Sequence, residues 1–448
     1  MAKGKLIVLY DGTWCGQESN TKTNIYQLAE MIMNDDDPYN TKPTAPYIDL
    51  ARHIKACYFP GPGIGDAFLQ NLTNGATGND INLNCVELYE FIANNYKKGD
   101  EIWMFGHSRG AYTVRCVAGM INNCGILINP TNQLCHDVYD KYRSRLPTFH
   151  PSHPNMIAFR AANSHKVQTP VKFMGLFDAV GSLGIPYFIP GIGLDFHQFH
   201  DVTISSVVEK VYHALSIHDR LWGFEPCHAM PSPNRIVSPA AASPASQFEI
   251  RERWFPGCHY DLGRQRFRFL QNGVNLPERL VNYFLNPLSQ VIMPNDVCAD
   301  LVQKWMLERI QQNDPQQRVI QNIGGNIQGL TANMASATPA ACGSGDIYGN
   351  IVDYGPFGLP GGYLFRVVSK LVPRLGFVVN LLTRARDREI DPGAELTRYT
   401  VPCKLLGERT VGYVGGINDQ RYPSQTYQNF INIPTSQLNP ANPRSSAC

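Results

Sequence analysis

The sequence holds no apolar run of membrane-spanning length, no Cys-x-x-Cys pair, no internal repeat and no basic–aromatic array. Each absence removes a class of protein. Without a run of about 20 apolar residues there is no transmembrane helix. Leu6-Ile-Val-Leu-Tyr10 is too short for a secretory h-region, and no small-residue cleavage site follows it. A cytoplasmic location is therefore expected, with leaderless export left open. The 12 cysteines show neither metal-ligand nor disulfide-framework spacing. Several, such as Cys57 and Cys116, fall on apolar faces, which suits buried thiols in a reducing compartment. Charged residues make up 17% of the chain and the net charge is +2, which argues against a nucleic-acid partner. Gly61-Pro62-Gly63-Ile64-Gly65 follows a strand, but Pro62, the missing helix-opening spacing and the lack of a suitably offset acidic residue exclude a dinucleotide reading. Asp11 has no partner carboxylates at ligand spacing. The expectation is a chain without cofactor or metal.

What the sequence does hold is a βα rhythm. Strands are expected at Leu6–Tyr10, Ile54–Phe59, Glu101–Phe105, Val171–Phe177 and Phe248–Phe255. Helical periods fall on Asn24–Met33, Ile81–Lys98, Arg109–Ile121, Ser205–His218, Leu276–Asn286 and Val297–Gln311. This alternation predicts an α/β fold, a mostly parallel central sheet flanked by helices, with ligands at the carboxyl ends of the strands. Residues 1–310 are expected to form the catalytic domain. Within it, 184–204 is Pro- and Gly-interrupted and aromatic, either a lid insertion or an irregular packing insertion. Residues 311–448 read as an irregular C-terminal extension, part flexible, with a Gly/Ala/Asn-rich loop at 322–347 and a polar last forty residues.

The chemistry is concentrated in Gly106-His107-Ser108-Arg109-Gly110, which sits between a strand and a helix. In that setting G-x-S-x-G is a nucleophile elbow, whose tight turn requires small residues beside the serine. A serine nucleophile needs a base, an orienting acid and oxyanion donors. Strand Val171–Phe177 ends in Asp178, a carboxylate that is costly to bury without a partner. Strand Phe248–Phe255 leads through Pro-Gly-Cys to His259. The expected triad is Ser108, Asp178 and His259. The rivals are weaker: His213 and His218 lie in one expected helix, Asp219 and Asp261 are alternative acids, and His107 reads as a packing residue. For the oxyanion the expected donors are the N–H of Arg109 and one from the loop after the first strand, at Gly12 or Thr13. Asp11 would hold that loop by accepting N–H groups.

With these residues in view, the chain resembles the family of uncharacterised α/β-hydrolase domains that includes the type VI secretion phospholipase effectors. The matching blocks are Leu9-Tyr-Asp-Gly-Thr-Trp14, Tyr58-Phe-Pro-Gly-Pro-Gly-Ile-Gly65, Gly99-Asp-Glu-Ile-Trp-Met-Phe-Gly-His-Ser-Arg-Gly-Ala-Tyr112, Gly175-Leu-Phe-Asp-Ala-Val-Gly181, His213-Ala-Leu-Ser-Ile-His-Asp219 and Trp254-Phe-Pro-Gly-Cys-His259. The resemblance implies an α/β-hydrolase fold, the same triad, and hydrolysis of ester bonds in lipids, phospholipids among them. One block departs: the family usually continues its histidine with Asp-Val-Gly-Gly-Gly-Tyr, whereas this chain reads Asp261-Leu-Gly-Arg-Gln-Arg266.

A lipid or other hydrophobic ester is thus the expected substrate. The apolar segment 362–382 carries Arg366, Lys370 and Arg374 at intervals of four, either an interfacial stripe for peripheral membrane contact or the wet face of a core helix interrupted by Pro373. A soluble ester or thioester substrate, or a catalytically silent binding protein on the same frame, are the alternatives. Oligomeric state is left open.

Overall fold

The computed structural model describes residues 3–12, 22–61 (save 36), 78–166 (save 145), 170–180, 187–189, 193–195, 203–232 (save 218 and 220–223), 248–266, 293–337, 388 and 395–396. Its centre is an eight-stranded sheet: β1 (Lys5–Tyr10), β2 (Tyr47–Asp49), β3 (Ile54–Phe59), β4 (Glu101–His107), β5 (Val171–Phe177), β6 (Val208–Ser216), β7 (Glu249–Phe255) and β8 (Glu395–Leu396). The spatial order is β8-β7-β6-β5-β4-β1-β3-β2. All neighbours run parallel except β2, which pairs antiparallel with β3.

Helices cover both faces, which is why the inner strands are continuous apolar runs rather than alternating ones. Along β1, Leu6, Val8 and Tyr10 enter one core, while Ile7 and Leu9 enter the other. The first core receives α2 (Gly78–Asn95), α3 (Ser108–Cys124), α4 (Asn132–Arg143) and α5 (Pro154–Asn163). The second receives α1 (Asn24–Met33), the short α6 (His259–Leu262), α7 (Asp296–Asn313) and α8 (Ile323–Ala335). The chain leaves β1 for β3 on one side and reaches β4 on the other. That reversal opens a crevice at the carboxyl ends of β1 and β4, where the strand order switches.

Two expectations are corrected. Within the segment expected as a helix, Val208–Ser216 is strand β6, with Val208 and Val211 in one core and Tyr212 and Ala214 in the other. An apolar stretch buried on both faces satisfies a helical period as readily as a strand, and here β5 and β7 supply its ladder partners. The Gly/Ala/Asn-rich stretch expected as a loop forms α8 over Ile323–Ala335. Ile323, Ile327, Leu330 and Met334 make one stripe on the second core, and that packing outweighs the weak helix propensity of the glycines. Strand β2 and helices α4 and α5 add to the elements expected from the sequence.

The eight cysteines among the described residues are buried. Burial pushes the Cys57 and Cys124 thiols up to about 12, so they stay protonated and inert. Among the described residues no helix is long and apolar enough to cross a membrane. The expectations for Thr13, His218, Leu276–Asn286, the stripe at 362–382 and the last forty residues lie outside the described residues, as does most of 184–204. Within that last segment Tyr187–Ile189 pairs antiparallel with Gly193–Asp195.

Candidate active site

Ser108 is the first residue of α3 and holds φ at 56°, a left-handed conformation that costs a non-glycine residue about 1–3 kcal/mol. The neighbouring glycines make this turn sterically feasible. A Cβ on Gly106 would lie 2.5 Å from the Ala111 Cα, and one on Gly110 would lie 2.4 Å from the carbonyl oxygens of both Tyr10 and Asp11. The elbow is therefore wedged against the end of β1.

That end is fixed by Asp11, whose side chain is fully buried. It accepts the Gly12 N–H at 2.7 Å, the Tyr58 hydroxyl at 2.7 Å and the Thr23 hydroxyl. Thr23 in turn caps α1 by accepting the Tyr26 N–H at 3.0 Å. Gly12 thus gives its N–H to Asp11. Its Cα nonetheless comes close, since a Cβ there would be 3.1 Å from the Ser108 Cβ. Arg109 is the second residue of α3, where its N–H belongs to the first turn of the helix.

Asp178 follows β5 directly and is also left-handed, with φ at 42°. Its N–H donates to the Ala214 carbonyl at 2.7 Å, and the next N–H, of Ala179, donates to His213 Nε2 at 3.0 Å. His213 must then carry its proton on Nδ1, which donates to Glu252 at 2.8 Å. Burial lowers the pKa of His213, consistent with a neutral ring. Glu252 also accepts from Ala229 N–H at 2.6 Å and pairs with His228 Nδ1 at 2.9 Å. His213 is thus a brace for the Asp178 turn rather than a rival base.

The Asp178 carboxylate is saturated. Oδ1 accepts Ser216 N–H at 2.9 Å and Arg388 Nη1 at 2.7 Å. Oδ2 accepts His259 Nδ1 at 2.7 Å, Arg388 Nη2 at 3.0 Å and the Ser216 hydroxyl at 3.2 Å. Burial alone would raise this carboxyl, but the Arg388 charge and the His259 hydrogen bond outweigh it and hold it well below the usual carboxylate range. Asp178 is thus held as an anion at physiological pH.

His259 opens α6 immediately after the Pro256-Gly257-Cys258 turn, and its N–H donates to Asp219 at 3.0 Å. Asp261 accepts the N–H groups of Cys258 and Asn295, both at 2.7 Å. Both rival acids therefore serve backbone amides around the histidine. The far ring nitrogen of His259, Nε2, lies 2.8 Å from Ser108 Oγ. Phe224 stacks on the ring at a centroid distance of 4.6 Å and 11° between planes. The His107 ring packs at 4.9 Å and 27°. Burial, aided by His259, pushes the His107 imidazole down to about 3, so it is neutral at physiological pH. Its two nitrogens find no hydrogen-bond partner among the described residues. His107 packs, as expected, but against the imidazole of the site.

The departure behind the histidine has a structural answer. Gly263 must be glycine because a Cβ there would lie 2.2 Å from the His107 ring. Arg264 adopts φ of 53°. Its guanidinium donates to Asp296 at 2.7 Å and to Asp300, both on α7, which offsets the strain.

A hydroxyl, an imidazole and a carboxylate thus stand in line at the carboxyl ends of β4, β7 and β5. Nδ1–H is fixed by the anion, so Nε2 is free of its proton and faces the serine hydroxyl. The array can take the proton of Ser108 and return it elsewhere. Two members escaped sequence reasoning. Phe224 carried no signal. Arg388 had one indirect signal, since a buried aspartate at the end of an apolar strand calls for a counter-charge, but nothing in the sequence pointed 210 positions ahead.

Residues 4–308 match the family model described as the T6SS phospholipase effector Tle1-like catalytic domain. Uncharacterized protein YEL023C of Saccharomyces cerevisiae is 27% identical over 259 residues, which is 52% of this chain and 34% of that protein. The chain thus spans about a third of the length of the curated relative it matches. Among solved structures, the Tle1 effector bound to the VgrG spike of the Type 6 secretion system aligns at 17% identity and a TM-score of 0.25, covering 59% of this chain and 52% of that one. An uncharacterized protein from Pseudomonas aeruginosa aligns at 13% identity and a TM-score of 0.34, covering 94% and 64%.

Proposed function

This chain belongs to the family of T6SS Tle1-like phospholipase effector catalytic domains, and we propose that it is a serine hydrolase of α/β-hydrolase type that cleaves carboxylic ester bonds in phospholipids or related lipids. One observation carries the reading. Ser108 Oγ lies 2.8 Å from His259 Nε2, whose Nδ1 lies 2.7 Å from Asp178, and the serine and the aspartate are both at positive φ.

In this mechanism Ser108 Oγ attacks the ester carbonyl carbon while His259 Nε2 takes its proton. Asp178 keeps the imidazole in the correct tautomer and stabilises the imidazolium that forms. The oxyanion is received by the Arg109 N–H and, with Gly12 engaged elsewhere, by the N–H of Thr13. The tetrahedral intermediate collapses, His259 protonates the leaving alcohol, and an acyl-Ser108 ester remains. Water, deprotonated by His259, releases the acid and restores the enzyme. The lipid substrate class rests on family membership, and the apolar, basic stripe at 362–382 is proposed as its membrane contact.

A fluorophosphonate probe should add to Ser108 and stop hydrolysis. Ser108→Ala should abolish labelling and lower turnover by a factor of roughly 10⁴–10⁶ with the fold retained. Failure of the wild-type protein to label would leave a silent binding protein. Labelling with hydrolysis of soluble esters but not of phosphatidylethanolamine or phosphatidylglycerol vesicles would overturn the lipid assignment alone.

A further inference from the structure

We propose that Arg388 is a positioning residue of the active site, tying Asp178 and Phe224 together around His259, so that residues beyond the family-matched segment complete the catalytic apparatus. The inference rests on the hydrolase reading above.

The guanidinium is enclosed, with 5% of the residue exposed. Nη1 donates to Asp178 Oδ1 at 2.7 Å and to the Ser216 carbonyl at 2.7 Å. It also reaches the Ser216 hydroxyl. Nη2 donates to Asp178 Oδ2 at 3.0 Å and to the Phe224 carbonyl. A two-pronged grip of this kind fixes the plane of a carboxylate as well as its position. With that plane set, the remaining lone pair of Oδ2 is aimed at His259 Nδ1. Through the Phe224 carbonyl the same cation anchors the ring that stacks on the face of His259. One side chain thereby governs both the edge and the face of the imidazole.

Arg388 also sets the field at that imidazole. Among the described residues, the charged and titratable groups around His259 are Asp178 and Asp219 on the strand-end loops, His107 on β4, Asp261 in its own turn and Arg388, with the Ser108 hydroxyl on α3. Arg388 in turn faces Asp178, Asp219 and Glu225. Its charge partly offsets that of Asp178, which tempers the pull of the carboxylate on a proton at the resting imidazole. Removing the cation would leave the full anion beside the ring and favour the protonated, inactive base. A cation that only supported the fold would not have this effect.

The test uses the full chain, a soluble p-nitrophenyl ester and the variants Arg388→Ala and Arg388→Lys. For Arg388→Ala, kcat should fall roughly 10²-fold with little change in KM, because the serine and the binding surface remain while the base is misaligned. The acidic limb of its pH–rate profile should move to higher pH. Added ethylguanidinium, which refills the vacated space, should restore part of kcat. Arg388→Lys should recover less than the soluble guanidinium does, since an ammonium cannot grip both carboxylate oxygens. If Arg388→Ala does not fold, Arg388→Gln, which also removes the charge but keeps more of the volume, carries the same kcat and pH readouts. Unchanged kcat overturns the proposal, as does a folded variant whose lost activity shows neither a limb shift nor a response to ethylguanidinium. Absence of fluorophosphonate labelling in the wild-type protein would instead sink the hydrolase reading, so the two failures are distinguishable.

Discussion

Ser108 stands on a turn shaped by backbone, with Gly106 and Gly110 letting the elbow press against the carbonyls at the end of β1. Asp178 stands on a turn of the same left-handed kind but is held by side chains: His213 from β6, itself held by Glu252 from β7, then Ser216 and Arg388. Two residues with the same strained geometry are therefore stabilised in different ways. The backbone-built turn tolerates no added volume, and the side-chain-built turn tolerates no lost polarity. The difference teaches where each half should fail.

The largest effect should come from the side-chain-built half. Asp178→Asn keeps the shape but removes the anion between Arg388 and His259, leaving a buried guanidinium without its hydrogen-bonded carboxylate. Turnover should drop roughly 10⁴-fold, because the imidazole loses its preferred tautomer. Unfolding should become easier by about 3–5 kcal/mol. Steady-state kinetics and urea denaturation read the two together, and a variant with wild-type stability would show that Arg388 is neutralised by other groups.

Gly110→Ala tests the backbone-built half. Its added methyl meets two carbonyl oxygens at 2.4 Å, neither of which can swing aside as a side chain could. A loss of about 3 kcal/mol is expected, visible as a lowered Tm, with turnover falling because the serine shifts. A neutral outcome would mean that the end of β1 yields, and the contrast between the halves would disappear.

The smallest effect concerns His107, the residue between the two halves. Its imidazole stays neutral in the fold to about pH 3, whereas in the unfolded chain it takes a proton below about pH 6.5. The unfolded state therefore binds more protons across that window, and stability falls as pH is lowered through it. Between pH 7 and pH 5 this amounts to about 2 kcal/mol. His107→Gln has no such proton to bind, so its urea midpoint should lose less over that interval than the wild-type midpoint does. Equal losses would remove His107 as the source.

The same contrast explains what the sequence made legible. The backbone-built half leaves marks in a sequence, since only certain residues fit a tight turn, and Gly106, Ser108 and Gly110 announce it. Asp178 and His259 were legible because each ends or follows an apolar strand, where a polar residue stands out. Arg388 leaves no such mark: its role depends on a chain path that no periodicity records. The strand character of β6 is hidden for a related reason, since burial on both faces erases the alternation that distinguishes a strand from a helix. Phe224 and α8 depend likewise on tertiary packing and not on local pattern.

The four-residue helix that carries His259 is too short to be rigid by itself, and Arg264 ties it to α7 through Asp296 and Asp300. The aim of the imidazole is therefore borrowed from a helix that forms no part of the reaction. Loosening α7 on the sheet would blunt the enzyme first and melt it later, so inactivation should precede denaturation when the protein is warmed.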